Sequence, residues 1–166
     1  MNLSAVTHDC TLRFRQPIAR NQIRFRLLTA NGDCESVTLC VWKRSEPYPE
    51  SVTTLCMNVR YSDGLRDEWV GELHWPEEAH YLKYYFILHF TTGEIKTCCE
   101  HGFADVFLPD GAFELLQANE TDVQTSPAWC KGTVYYQIFP ERFAIGNANK
   151  KRHAYVPWDS QPTREN

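Results

Sequence analysis

The side chains able to do chemistry are numerous in this chain, but they are not spaced for a common catalytic or metal site. The six histidines are His8, His74, His80, His89, His101 and His153. None stands at a zinc-type spacing from a cysteine or another histidine, so each is interpreted as a surface or hydrogen-bonded polar residue. The sequence also has no glycine-rich phosphate loop and no Gly-x-Ser-x-Gly elbow.

The cysteines indicate reduced thiols rather than a disulfide framework. They are Cys10, Cys34, Cys40, Cys56, Cys98, Cys99 and Cys130. Their number is odd and no Cys-x-x-Cys occurs, whereas disulfide-rich secreted domains normally pair all their cysteines. Cys98 and Cys99 are adjacent, and neighbours on a strand point to opposite faces, which disfavours a shared metal ion. The thiols therefore predict a reducing compartment.

The composition and charge argue against a nucleic-acid-binding, secreted or membrane-spanning protein. The chain has 166 residues, 43% of them hydrophobic, which suits an ordinary globular domain with a sizeable core. A net charge of −4 gives no electrostatic basis for binding nucleic acid or an anionic membrane. Residues 1–8 do not resemble a signal peptide, and no apolar run approaches the length of a membrane span. We predict a cytoplasmic protein.

Aromatic rings are the remaining candidates for a binding site, because sugars pack their C–H faces on flat rings. Most large aromatic side chains are core residues. Trp42 and Tyr48 flank the loop that follows a predicted strand, and loops carry binding residues more often than strands do. We therefore predict Trp42 and Tyr48 as substrate-binding residues.

Residues 1–126 read as a succession of short strands. Ile23, Phe25 and Leu27 alternate with polar residues, and Leu82 to Phe90 does the same more strongly. Strands are predicted at 22–27, 37–42, 54–61, 68–75, 81–90, 95–99 and 113–116. Turn signals separate them and no convincing amphipathic helix occurs, which favours a β-sandwich.

A second kind of strand is predicted at 133–143. Its β-branched and aromatic residues follow Gly132 without polar alternation, a pattern typical of a strand buried on both faces. The motif residues are Tyr136, Gln137, Phe139, Pro140, Arg142 and Phe143. Together they resemble the first barrel strand of the α-amylase family of glycoside hydrolases, above all its neopullulanase, cyclomaltodextrinase and maltogenic amylase branch. Residues 127–131 and 156–166 are also similar to that branch.

The resemblance implies an immunoglobulin-like β-sandwich followed by the first strand of an incomplete (β/α)8 barrel. The expected boundaries are an N-terminal sandwich at 1–123, a linker at 124–131 and a truncated barrel start at 132–166. Within the sandwich, residues 81–86 and 101–103 look most like the corresponding module of the branch.

No catalytic residue is expected within these 166 residues. A retaining glycosidase needs two carboxyl groups about 5 Å apart, and the family carries them on later barrel strands. Glu141 is the only carboxylate at the end of the predicted first strand, and one carboxylate cannot serve both roles. It is interpreted as a structural partner of Arg142.

No metal or other cofactor is expected either. The family often has an oxygen-rich Ca²⁺ loop after the first strand, and the matching stretch here is 145–151. Ile145 offers no side-chain oxygen, and Lys150 and Lys151 would repel a cation that needs six to eight oxygen ligands.

The resemblance thus implies the N-terminal part of a retaining hydrolase acting on α-1,4-linked maltooligosaccharides, cyclodextrins or pullulan. Its expected partners are α-glucan oligosaccharides and a second copy of itself in a homodimer, with no nucleic acid and no membrane. The sandwich would then contribute to dimerisation and shape the substrate cleft. The alternative is a stand-alone, non-catalytic module for glycan binding or dimerisation.

Overall fold

Ten β-strands dominate the described part of the chain. The computed structural model describes residues 1–117, 123, 127–130 and 132–137. The strands are β1 (Arg15–Ala19), β2 (Gln22–Ala30), β3 (Cys34–Lys43), β4 (Thr53–Cys56), β5 (Asn58–Ser62), β6 (Arg66–His74), β7 (Leu82–Phe90), β8 (Ile95–Cys99), β9 (Gly102–Ala104) and β10 (Phe113–Leu115). The helical elements in these residues are 3₁₀ turns at Leu3–Ala5, Pro109–Gly111 and Ala128–Cys130. The all-β prediction is confirmed.

The strands form two antiparallel sheets. A four-stranded sheet has the order β1-β2-β6-β5. A six-stranded sheet has the order β4-β3-β7-β8-β9, and β10 pairs with the first residues of β7. The protein consists of two compact units, Met1–Thr125 and Ser126–Asn166. Both sheets belong to the first unit.

The core lies between the sheets and follows from the alternation seen in the sequence. Ile23, Phe25 and Leu27 project from the four-stranded sheet and are fully buried. The inward residues of β7 face them from the six-stranded sheet: Leu82, Tyr84, Phe86, Leu88 and Phe90. The period-two pattern therefore predicted the inner face of both sheets correctly.

The single strand predicted at 54–61 is wrong, because the chain changes sheets within it. Residues of β4 pair with β3, whereas those of β5 pair with β6 in the opposite sheet. Met57 stands between them, buried in the core, and its N–H donates to the Val37 carbonyl at 2.9 Å. Residues 54–61 contain neither glycine nor proline, so the sequence gives no local signal for this crossing.

Two strands were missed. Strand β1 contains Pro17, which argues against a central strand but is tolerated at a sheet edge. It is indeed an edge strand, paired only with β2 in its sheet order. Strand β9 is three residues long, too short for a periodic signal.

A tight turn between β2 and β3 is fixed by a buried carboxylate. Gly32 has φ +66°, a conformation that favours glycine. Asp67, on the neighbouring β6, accepts from the Gly32 N–H at 2.7 Å and from Asn31 Nδ2 at 2.9 Å. Burial alone would raise the pKa of Asp67, but the hydrogen bonds from Gly32, Ser62 and Asn31 outweigh it and lower the pKa.

The strand predicted at 133–143 is not formed over its described part. Residues 133–137 do not form a strand, and Tyr136 is 80% exposed rather than buried. An all-apolar strand is stable only when neighbouring strands satisfy its backbone and layers cover its faces. The described residues supply no such partners to 133–137. The remaining motif residues, Phe139, Pro140, Arg142 and Phe143, lie outside the described residues.

Candidate functional site

The outer face of the six-stranded sheet carries a second apolar cluster. We call it the outer cluster, and its buried members are Cys40, Trp42, Tyr85, Cys99, Phe107 and Ala112. Tyr85 and Phe107 stack with ring centroids 3.8 Å apart and planes 9° from parallel. The segment before β10 supplies Phe107 and Ala112, so it folds back over the sheet. A sheet face normally open to water is thus partly covered here.

Trp42 and Tyr48, the predicted substrate-binding residues, both join this cluster. Their ring centroids lie 5.1 Å apart, and the Tyr48 and Tyr85 hydroxyls are 3.4 Å apart. Trp42 is only 2% exposed, so its ring offers no open face to a sugar in this structure. Tyr48 is half-buried and covers Trp42 from the loop side. The structure brings the two residues together, and their role in substrate binding stays a prediction.

A cleft opens beside this cluster, at the ends of the two central strands. We call it the polar cleft. It has a volume of ≈ 570 Å³ and is lined by Lys43, Arg44, Ser45, Glu77, Glu78, His80 and Tyr81. One wall begins at Lys43, the last residue of β3, and the other precedes β7. These strands are paired up to Lys43 and Leu82, so the walls begin at adjacent positions of one ladder.

Ion pairs balance the charges of the polar cleft. Lys43 Nζ lies 2.7 Å from Glu77 Oε2, and this pair raises the pKa of Lys43 and lowers that of Glu77. His80 Nδ1 lies 2.5 Å from the Gln117 carbonyl oxygen, and its Nε2 lies 2.6 Å from Glu78 Oε2. The Gln117 carbonyl and then Glu78 raise the pKa of His80.

Tyr81 is the unusual residue of the cleft. Its φ is +49°, in the left-handed region that side chains larger than asparagine rarely adopt. The Arg44 N–H donates to the Tyr81 carbonyl at 2.8 Å and holds this backbone in place. Tyr81 as a whole is 47% exposed. Tyr81 was predicted as the first residue of the strand at 81–90, whereas β7 begins at Leu82, because nothing in the sequence encodes the positive φ.

A polar pair lies between the sheets, where the partly buried His8 meets the inward side chain of Tyr84. His8 Nδ1 lies 2.7 Å from the Arg26 carbonyl oxygen, which can only accept, so Nδ1 carries the proton. His8 Nε2 then accepts from the Tyr84 hydroxyl at 3.0 Å. Burial lowers the pKa of His8 to about 4, and the Arg26 carbonyl offsets only part of that effect. Both ring nitrogens of His8 are therefore hydrogen-bonded, which agrees with the prediction of a hydrogen-bonded polar residue.

The remaining predicted features concern metal and membrane. Among the described residues, no group of three or more His, Cys, Asp or Glu side chains could hold a metal ion. The predicted lack of a Ca²⁺ site rests on Ile145, Lys150 and Lys151, which lie outside the described residues. In the part of the chain that the structure describes, no helix is long and apolar enough to cross a membrane.

Known proteins resemble this chain along nearly its whole length. The neopullulanase 2 of Thermoactinomyces vulgaris is 29% identical in an alignment of 167 positions that covers 99% of this chain and 28% of that protein. A cyclomaltodextrinase of a Bacillus species is 37% identical, over 96% of this chain and 28% of that protein. A solved cyclomaltodextrinase structure superposes with a TM-score of 0.72 at 29% identity, covering 98% of this chain and 27% of that chain. The chain thus spans just over a quarter of the length of these relatives.

The two facing antiparallel sheets and the structural match define the first unit as an immunoglobulin-like β-sandwich. The profile described as "Alpha amylase, N-terminal ig-like domain" matches residues 1–117. The chain belongs to this family of α-amylase N-terminal domains, and the resemblance to the neopullulanase and cyclomaltodextrinase branch is confirmed.

Proposed function

We propose that this chain is the N-terminal part of a retaining α-glucan hydrolase. The enzyme would act on α-1,4-linked maltooligosaccharides, cyclodextrins or pullulan. The sandwich would contribute to a homodimer and shape the substrate cleft. The observation that carries this proposal is the match along nearly the whole of this chain to proteins named neopullulanase and cyclomaltodextrinase. This match includes the segment after the sandwich.

The unequal chemistry of the two outer sheet faces supports a role in association. On the four-stranded sheet, Arg24 and Glu72 form a cross-strand ion pair at 2.6 Å, and Arg26 and Glu68 form another at 3.0 Å. Such charged ladders keep a sheet face solvated. The six-stranded sheet has an uncharged row across its outer face, composed of Cys56, Thr38, Ile87, Thr97 and Ala104. Charge depletion is typical of the centre of a protein interface.

This assignment of the contact face can be tested by adding a charge to each face in turn. Ile87→Lys in the complete enzyme is expected to shift the dimer toward monomer, because an ammonium group would be buried in an uncharged interface. Val70→Lys, on the outer face of the four-stranded sheet, is the matched control. Light scattering coupled to gel filtration measures both. Loss of the dimer with Val70→Lys but not with Ile87→Lys would contradict the assignment.

Two observations favour a cytoplasmic location for the enzyme. A Bacillus subtilis relative, 25% identical over 84% of this chain, is named intracellular maltogenic amylase. All seven cysteines are free thiols, of which Cys10 and Cys56 are exposed. Exposed free thiols suit a reducing compartment.

The hydrolase activity is tested on the polypeptide encoded by the uninterrupted reading frame. It is incubated with maltotriose, β-cyclodextrin and pullulan, and NMR follows the anomer released first. We expect the α-anomer, since retention preserves the configuration of the bond cleaved. The 166-residue chain alone is the control and is expected to release no sugar. An inactive full polypeptide, or an active 166-residue chain, would each contradict the proposal.

The alternative of a stand-alone glycan-binding or dimerisation module is favoured by one feature. The first unit has its own core, in which both sheets contribute fully buried side chains. A domain of this kind folds without a following domain. The length of the natural reading frame distinguishes the two proposals, because a (β/α)8 barrel requires at least about 200 further residues.

A further inference from the structure

The turn between β2 and β3 contains the only Asn-Gly pair of the sequence, Asn31-Gly32. In such a pair the glycine nitrogen can attack the asparagine side chain, because glycine has no side chain to hinder the approach. We propose that Asn31 is a deamidation site that the folded turn keeps unreacted, with Asp67 as the residue that blocks the reaction. Nothing in the family match assigns this site, and it is independent of the proposed enzymatic activity.

The reaction consumes water and needs no other reagent. The Gly32 nitrogen forms a bond to Cγ of Asn31 and loses its proton, while the bond from Cγ to Nδ2 breaks and ammonia leaves. Water then opens the resulting succinimide ring at either of its two carbonyl groups. The product is aspartate, or isoaspartate with the backbone running through the former side chain. Each product carries a negative charge that the asparagine lacks.

Burial does not protect this pair from water. Asn31 and Gly32 are both exposed, and a Cβ added to Gly32 would meet no atom within 4 Å. Asparagine is among the residues that limit the lifetime of proteins at high temperature. Protection at this turn must therefore come from hydrogen bonds that hold the two reacting groups, rather than from exclusion of solvent.

The attacking nitrogen is held by a buried carboxylate. The Gly32 N–H donates to Asp67 Oδ2 at 2.7 Å. Asp67 is only 6% exposed, so water competes little for this bond. Turning the nitrogen toward Cγ of Asn31 would break the bond and leave the Asp67 oxygen without its donor. The bond therefore keeps the nucleophile away from the group that it would attack.

The side chain under attack is held as well. Asn31 Nδ2 donates to Ser62 Oγ at 2.8 Å and to Asp67 Oδ1 at 2.9 Å, so both of its hydrogens are used. The Asn31 N–H donates to the Leu65 carbonyl at 2.9 Å and ties its backbone to the connection between β5 and β6. Asp67 thus binds both reacting groups, with one oxygen for each. Deamidation requires this turn to open.

The product would not fit the closed turn. A carboxylate at position 31 would face the Asp67 carboxylate where the 2.9 Å hydrogen bond now lies, and like charges so close repel. An isoaspartate would also lengthen the backbone between β2 and β3, which belong to different sheets. An opening that ends in reaction is therefore irreversible, because the modified turn cannot close again as before.

The test measures deamidation of the 166-residue chain in mildly alkaline buffer, well below its unfolding temperature. Trypsin releases the peptide 27–43, in which Asn31 is the only amide side chain, so a mass gain on this peptide reports on Asn31 alone. The chain denatured in guanidinium chloride gives the unprotected rate. We expect the folded chain to react at least about tenfold more slowly, which corresponds to about 1.4 kcal/mol of protection.

Two variants weaken the hold on the turn. In Asp67→Asn, the side-chain NH2 group must face one of two other donors, the Gly32 N–H or Asn31 Nδ2. This variant is expected to deamidate about 5- to 30-fold faster than the wild type. Ser62→Ala removes one acceptor and leaves Asp67 in place. It is expected to react faster than the wild type and more slowly than Asp67→Asn.

Gly71→Ala is the matched control for lost stability. Its new Cβ would meet Leu55 and Met57 rather than any residue of the turn, so it is expected to react at the wild-type rate. An acceleration equal to that of Asp67→Asn would overturn the proposal, because it would assign the reaction to unfolding of the whole sandwich. A folded wild type that reacts as fast as the denatured chain would also overturn it, as would wild-type rates in both turn variants.

Discussion

Acidification is expected to destabilise the sandwich through His8 at a higher pH than through its carboxylates. In the folded chain His8 is neutral, donates through Nδ1 to the Arg26 carbonyl and accepts through Nε2 from Tyr84. A second proton at Nε2 would break the bond from Tyr84 and place a charge among Phe14, Phe86 and their neighbours. The N-terminal segment that carries His8 is otherwise joined to β2 by few backbone bonds, among them the pair between Thr7 and Leu28.

The magnitude follows from the two pKa values. The pKa of His8 is about 4 in the folded chain and 6.5 when unperturbed. Between these values the unfolded chain binds more protons, so stability is complete above pH 6.5 and falls as the pH falls. At about 1.4 kcal/mol per pH unit, the loss reaches roughly 2–3 kcal/mol by pH 4.5. That is a large part of the roughly 5–15 kcal/mol that stabilises a typical domain.

Urea unfolding followed by tryptophan fluorescence between pH 6.5 and 4.5 measures this loss. His8→Gln is the matched variant, because its amide can donate to Arg26 and accept from Tyr84 but cannot be protonated. We expect the unfolding free energy of His8→Gln to be nearly flat across this interval. A decline in His8→Gln as steep as that of the wild type would refute the assignment to His8.

Other titrating groups act mainly at lower pH or with the opposite sign. The pKa of His80 is raised, so its contribution is present below pH 6.5 and is lost as the pH rises. The pKa of Asp67 is lowered, so its contribution is present above about pH 4 and is lost only at more acidic pH. The pKa values of Glu72, Glu77 and Glu78 are lowered from 4.5, so their contributions begin to be lost at the acidic end of the interval. The difference between the wild type and His8→Gln removes these shared contributions and reports on His8.

Two further substitutions test the packing and the turn. Gly71→Ala is expected to lower the free energy of unfolding by about 1–3 kcal/mol, because the new Cβ would lie 3.1 Å from both Leu55 Cδ2 and Met57 Cγ. These side chains lie where the chain passes from one sheet to the other. A urea midpoint equal to that of the wild type would contradict this packing. Asp67→Asn is expected to lower the free energy of unfolding by about 1–2 kcal/mol at pH 7, because it weakens the charge-assisted hydrogen bond from the Gly32 N–H. The difference from the wild type should shrink below pH 3, where Asp67 is protonated. A difference that does not change with pH would count against a charge effect.

The inner faces of the sandwich were predictable because burial there depends on local alternation alone. Phe25 and Phe86 each occupy the inward position of a period-two pattern, and both are fully buried. Sheet membership was not predictable in the same way. The change of sheet at Met57 is decided by pairing with β3 and β6, which lie elsewhere in the chain.

The site residues were less predictable for a related reason. Trp42 points outward from its sheet, and a sequence pattern therefore predicts that it meets solvent. It is buried because Phe107, 65 residues further on, returns to cover it. The backbone of Tyr81 was not predicted, since its positive φ occurs together with a hydrogen bond from the Arg44 N–H, which lies on a distant segment. Both outcomes depend on contacts between distant segments.

The proposed association face is built on the two central strands of its sheet. Strands β3 and β7 pair from Cys34 and Phe90 to Lys43 and Leu82, the longest ladder of their sheet. The uncharged row crosses the middle of this ladder at Ile87, which also packs against the outer cluster. Ile87→Lys therefore needs a stability measurement beside the assembly measurement. Loss of the dimer with an unchanged urea midpoint would assign Ile87 to the interface, whereas a lower midpoint with the dimer retained would assign it to packing within one chain.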